Sequence, residues 1–204
     1  MKNINVLVIG AGLYVCGKGT EGFGTILPAI HEWKRLTGNK GEVQCVSTSF
    51  ASAKEFLKKS EDLSIKTGVS FDISAYPDSD LKDNLYYRNL LERINKPSCA
   101  IIAVPDHLHY QVTKDCLEAG LHILLVKPLT PTYKEGRELV DLSDKYGLYG
   151  AVEFHKRWDR SNLILRDKIQ SGELGKLLNC WIEYSQRKSI PITFFKDWSE
   201  KTSI

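Results

Sequence analysis

Apolar residues in this chain fall into short, almost unbroken runs separated by longer stretches with helical spacing. The runs over 6–9, 42–47, 71–75, 100–104, 121–126 and 149–153 read as strands. Runs of Val, Ile and Leu with so few polar breaks suit strands covered on both faces, as in a parallel sheet. Between them, apolar positions recur every three or four residues over 25–36, 51–59, 85–94, 107–119 and 133–146, the spacing of amphipathic helices. Gly38, Gly120 and Gly147 stand where three of those helices should stop. The alternation of strands and helices predicts right-handed βαβ units, an α/β fold and a doubly wound parallel sheet.

After Glu153 the texture changes. Helical spacing over 160–170 ends at Ser171-Gly172, and 177–186 reads as a long strand of mixed face. Phe194, Phe195 and Trp198 then place a heavy aromatic load where one strand and a loop could not bury it. The expected organisation is one domain over 1–153 and the start of an incomplete α/β C-terminal domain over 154–204.

Composition narrows the class. With 42% hydrophobic and 26% charged residues, the chain can build an ordinary globular core. A net charge of +3, with Lys and Arg scattered, gives no footprint for nucleic acid. No apolar run approaches the length of a bilayer span, and Met1-Lys2-Asn3-Ile4 leads directly into a strand, so no membrane or signal segment is expected. Cys16, Cys45, Cys99, Cys116 and Cys180 lack any CxxC spacing, which points to reduced thiols in a cytoplasmic protein without a zinc site. Cys45 and Cys99 lie in strand-like runs and read as small core residues.

Three features carry candidate chemistry. Gly10-Ala11-Gly12 follows the first strand, where glycines let a backbone approach a pyrophosphate; position 15, usually a third glycine, is Val15. Gly17, Gly19, Gly22 and Gly24 follow, as though the loop were lengthened, with Gly22 or Gly24 offered for close helix–strand contact. Ser47-Thr48-Ser49 after the second strand carry no carboxylate, and Lys54 lies nearby, which tilts the cofactor towards NADP over NAD. Lys127 closes the run Ile123-Leu124-Leu125-Val126 and is followed by Pro128. Ligands collect at the carboxyl ends of strands in such sheets, and a partly desolvated lysine there can act on a substrate hydroxyl. Asp106 is placed to cap the helix after the fourth strand. His107 and His109 lack the companions of a metal site.

Gly10-Ala11-Gly12, Val104-Pro105-Asp106-His107-Leu108-His109, Val126-Lys127-Pro128 and Glu153-Phe154-His155-Lys156-Arg157-Trp158 together resemble, in order and spacing, the glucose–fructose oxidoreductase and inositol dehydrogenase family (Gfo/Idh/MocA). The resemblance implies a Rossmann domain followed by a C-terminal domain on a large open sheet. It implies NAD(P)-dependent hydride transfer to or from a hydroxyl or keto carbon of a sugar, cyclitol or nucleotide sugar. Lys127 would be catalytic, with its bond to Pro128 often cis, and His155 would be a second candidate for proton transfer. Cofactor contacts would come from Gly10, Gly12, Leu13, Ser47, Thr48, Val104, Pro105, His109, Lys127, Pro128 and Arg157. Homo-oligomers would form through the C-terminal sheets.

Two departures stand beside that resemblance. Val126 occupies the position of the family's glutamate, and no histidine follows His155, so the family's later aspartate–histidine pair has no match. A non-catalytic dinucleotide-binding or regulatory remnant is therefore the alternative. Local alternatives also stay open: His109 as a structural residue at the helix start, and the segment from Glu153 as a packed hinge with Arg157 paired to Asp159 or Glu153. Tyr184 and Arg187 are further residues within possible reach of substrate.

Overall fold

Strand β1 (Asn5–Ile9) shows the logic of the fold in five residues. Val6 and Val8 face one apolar cluster while Leu7 and Ile9 face another, so the strand is covered on both sides. The structure, a computed structural model, describes residues 3–80 and 83–185. Strands β2 (Val43–Val46), β3 (Ile73–Tyr76), β4 (Ser98–Ile102), β5 (His122–Val126) and β6 (Gly150–Glu153) join β1 in one sheet of order β3-β2-β1-β4-β5-β6. The pairings of β1 through β5 are all parallel. This is the doubly wound Rossmann order, in which the chain direction across the sheet reverses at β1.

Helices cover both faces. On one side, α2 (Ile26–Thr37) buries Ile26, Leu27 and Ile30, and α3 (Phe50–Thr67) buries Ala53, Phe56 and Leu63. On the other, α4 (Tyr86–Leu91), α5 (His109–Glu118) and α6 (Tyr133–Tyr146) pack Leu90, Val112, Leu117 and Leu139 against β4 and β5. Helices α2, α3 and α6 each end on a glycine in the left-handed region, at Gly38, Gly68 and Gly147, where a side chain would be strained. Tyr87 donates to Asp115 at 2.6 Å and links α4 to α5; burial and this bond push its hydroxyl up to about 12. Burial also pushes the Cys45 and Cys99 thiols up, the latter to about 11, in keeping with inert core residues.

Three sequence expectations are corrected. Helix α3 runs to Thr67 because Phe56, Ser60 and Leu63 continue its buried face, with a serine at a core position. A one-turn helix α1 (Leu13–Cys16) follows the first glycines, where the sequence suggested only loop. The strand expected over 177–186 is not formed over the described residues 177–185, all of which are exposed. A strand needs a neighbour for its backbone donors and acceptors, and none pairs with this segment among the described residues.

The chain divides into Met1–Val152 and Glu153–Ile204, one residue before the expected boundary. Within the second unit, a 3-10 turn (His155–Trp158) leads to α7 (Arg160–Gln170), which buries no residue. The aromatic load at Phe194, Phe195 and Trp198 lies outside the described residues.

Candidate functional site

Because the strands run parallel, their carboxyl ends share one edge. Ile9 is in register with Val46 on one side and Ile102 on the other, and Ile102 with Leu125. Ser47, Gly10, Ala103 and Lys127 therefore leave the sheet along the same edge, across the point where strand order reverses. At the usual strand spacing, Gly10 and Lys127 stand roughly 10 Å apart in the sheet direction.

The glycine turn is built for close approach. Gly10 has φ 114°, and a Cβ there would lie 2.2 Å from the Ala103 carbonyl oxygen, so β1 and β4 can diverge at this tight contact only through glycine. Gly12 differs: a Cβ would meet nothing within 4 Å, so its bare backbone faces open space. Leu13, 59% exposed, stands beside it. A dinucleotide approaching the backbone at Gly12 would use that openness, and the residues present fit such a group.

The lengthened loop is resolved differently from expectation. A Cβ on Gly17 would meet Gly22 O at 2.2 Å, and one on Gly24 would meet Cys16 N at 2.7 Å. Those glycines close the loop on itself rather than serving helix–strand contact. Val15, at the usual third-glycine position, is buried in the core. The excursion is pinned to α3: Glu55 accepts from Gly19 N at 2.9 Å, and Lys59 donates to Gly22 O at 2.8 Å.

That pinning delivers a cation the sequence did not single out. Lys18 donates to the Ser52 hydroxyl at 2.6 Å, and Ser52 meets the Ser49 hydroxyl at 3.0 Å at the start of α3. Ser47 donates to Ser49 O at 2.9 Å, while Thr48 is exposed. Lys54, the cation suggested from sequence, is also exposed. The signal for Lys18 lay only in the glycine-rich loop length, which says nothing about where the loop folds back.

At the other end of the edge, the Lys127–Pro128 peptide is cis. Lys127 is exposed. Val126 is 8% exposed and packs in the core. Val104 is half-buried and Pro105 exposed at the exit of β4. His109 is placed behind these loops: its ring is fully buried, with Nδ1 2.7 Å from Pro128 O and Nε2 3.0 Å from Val104 O. A side chain so enclosed has no surface to offer a dinucleotide, which corrects its place among the cofactor contacts. Asp106 does not cap α5 either. A 3-10 turn (Asp106–Leu108) intervenes, no side chain caps the helix, and Asp106 Oδ1 is buried without a hydrogen-bond partner.

In the second unit, His155 Nδ1 lies 3.4 Å from Glu153 Oε1. Arg157 stands over the Phe154 ring at 4.9 Å, and it is Lys156 that meets Asp159, at 3.1 Å. The proposed pairing of Arg157 with Asp159 or Glu153 thus gives way to a cation–π contact. Tyr184 is exposed, and Arg187 lies outside the described residues. Among the described residues no group of three or more His, Cys, Asp or Glu side chains could hold a metal ion, and no helix is long and apolar enough to cross a membrane.

A parallel sheet reversing at a glycine turn defines a nucleotide-binding α/β protein. Residues 4–154 match the oxidoreductase family with the NAD-binding Rossmann fold, Gfo/Idh/MocA, and the chain belongs to that family. It is 36% identical over 107 residues to an uncharacterized oxidoreductase of Schizosaccharomyces pombe, covering 52% of this chain and 28% of that protein. It is 31% identical over 109 residues to the NADP(+)-dependent scyllo-inositol 2-dehydrogenase of Bacillus subtilis, covering 52% of this chain and 30% of the relative. Among solved structures, scyllo-inositol dehydrogenase from Lactobacillus casei, with NAD(H) and scyllo-inositol bound, superposes with TM-score 0.60 at 16% identity. That match covers 86% of this chain and 43% of the other, and it speaks for the fold alone. The matched stretches thus span under half the length of these relatives.

Proposed function

We propose that this chain carries the cofactor-binding half of an NAD(P)-dependent oxidoreductase acting on a hydroxyl or keto carbon of a sugar, cyclitol or nucleotide sugar. The observation that carries the reading is the shared sheet edge, where the open backbone at Gly12 follows β1 and Lys127 follows β5. When bound, the nicotinamide exchanges hydride with the substrate carbon. The chain's own residues do the rest. Gly10, Gly12 and Leu13 seat the pyrophosphate, and Val104, Pro105 and Pro128 border the nicotinamide. Lys127 orients the substrate hydroxyl and takes part in its proton transfer, and its positive charge favours the developing alkoxide. His155 and Arg157 belong to the same proposal as second-unit candidates for proton transfer and cofactor contact.

NADP is the preferred form in this reading. Ser47, Thr48 and Ser49 present hydroxyls and no carboxylate, and Lys18 supplies a cation beside Ser49 and Ser52. A location in the cytoplasm and homo-oligomers built with the family's C-terminal sheet complete the proposal.

One observation favours a second reading, a dinucleotide-binding protein without catalysis. Val126 puts a buried methyl-bearing side chain where the family's glutamate would offer a carboxylate. NADPH and NADH titrations followed by nicotinamide fluorescence, with turnover on polyols and sugars, separate the two. Binding with turnover that Lys127→Ala reduces by about a hundredfold or more supports the enzyme, at the usual scale of general acid–base catalysis. Binding without turnover supports the second reading, and no binding of either nucleotide removes both.

A further inference from the structure

His109 is the most enclosed polar side chain near the carboxyl edge of the sheet. It begins α5, yet its ring reaches two loops at once: Val104 O at the exit of β4 and Pro128 O at the exit of β5. A neutral imidazole donates from one nitrogen and an imidazolium from both, so at least one of these contacts is a donated hydrogen bond. Asp106 Oδ1, itself buried without a hydrogen-bond partner, lies 4.0 Å from Nε2 and adds a third oxygen around the ring. Carbonyl oxygens only accept, so a neutral ring serves one of the two and an imidazolium both; without the ring neither would have this donor, a costly arrangement for enclosed backbone oxygens.

We propose that His109 is a positioning residue that ties the β4 and β5 exit loops together and thereby sets where Lys127 and Pro105 stand against the nicotinamide. This rests on the cofactor reading above. The Pro128 carbonyl belongs to the residue directly after Lys127, so with the proton on Nδ1 the donated bond holds the backbone from which the Lys127 side chain extends, and links it to the start of α5. The Val104 carbonyl precedes Pro105 in the same way. In this strand order the adenosine half of a dinucleotide would lie over β1 and β2, away from both loops.

That division supplies the test. In the full chain, affinities are measured for NADPH against 2′-phospho-ADP-ribose, and for NADH against ADP-ribose, in the unaltered protein, His109→Phe and His109→Gln. The Phe ring fills the space without a donor, and Gln keeps one. The expected result is that His109→Phe weakens the nicotinamide-bearing ligands about tenfold, the scale of one lost hydrogen bond, with the ADP-ribose ligands unchanged. His109→Gln should recover part of the loss. Equal weakening of both ligand types, or no change in either, overturns the proposal. Should His109→Phe fail to fold, His109→Leu, which also lacks a donor, takes its place under the same criterion. In the unaltered chain, nitrogen-15 spectra of the imidazole should show a slowly exchanging ring N–H, and exchange at the solvent-exposed rate would overturn the tie. That signal is read without cofactor, so a protein that binds no nucleotide loses the cofactor reading while the tie is still judged.

Discussion

The helices α2 and α7 share an amphipathic pattern and differ in what it meets. Helix α2 buries Ile26, Leu27, Ile30, His31 and Lys34, whereas α7 buries nothing and leaves Ile164, Leu165 and Ile169 exposed. The contrast extends to their units: among the described residues 153–185 none is buried, while the first unit has a core on each face of its sheet. Helical periodicity specifies a helix, but only a covering surface turns the apolar stripe into stability. The buried apolar contacts among the described residues therefore lie in the unit that also holds the glycine turn and Lys127.

Substitution on the two sides sharpens that contrast. Phe56→Ala empties a fully buried site on α3 and should cost about 3–5 kcal/mol in denaturant unfolding. Trp181→Ala, at a side chain 89% exposed, should stay within about 0.5 kcal/mol. A large loss at Trp181 would show that the second unit carries stability of its own.

A smaller effect distinguishes the two ends of the sheet edge. Lys18→Ala should weaken NADPH binding about tenfold, as expected for one charge-assisted hydrogen bond, with NADH nearly unchanged. The NADPH term should also shrink as salt rises, because Lys18 is exposed. Equal loss for both nucleotides would assign Lys18 to loop folding instead.

The smallest expected effect concerns pH. His31 is buried with both ring nitrogens lacking hydrogen-bond partners, its ring 4.6 Å from that of Phe71 in an edge-on contact. Burial lowers its pKa below the ordinary value of 6.5. The unfolded chain then binds the proton more readily, so His31's contribution is intact above about pH 6.5 and diminishes as pH falls through the lowered value. Thermal unfolding from pH 7.5 down to 5 should show a loss that His31→Phe reduces, since phenylalanine cannot charge.

The sheet was legible because its central strands are mostly buried on both faces and so read as apolar runs. All six were placed within a few residues, and the family followed from motifs at their carboxyl ends. What escaped depended on contacts between distant residues. The turns of α3 beyond Lys59 were hidden by Ser60, a polar residue whose burial only the fold reveals. Lys18 became a candidate once the glycine excursion folded onto α3. The strand expected over 177–186 had apolar residues, but among the described residues nothing pairs with 177–185. His109 offered two local readings, and a carbonyl nineteen residues away settles where its ring points.

Gly12→Val asks in a single substitution whether the glycine-turn edge binds a nicotinamide dinucleotide. Gly12 has φ −86°, and a Cβ there meets nothing within 4 Å, so the fold should tolerate valine with little change in unfolding midpoint. Calorimetric titration with NADPH and NADH should show binding to the unaltered chain and its loss in this variant. A folded Gly12→Val protein that binds both nucleotides as the unaltered chain does would contradict the claim.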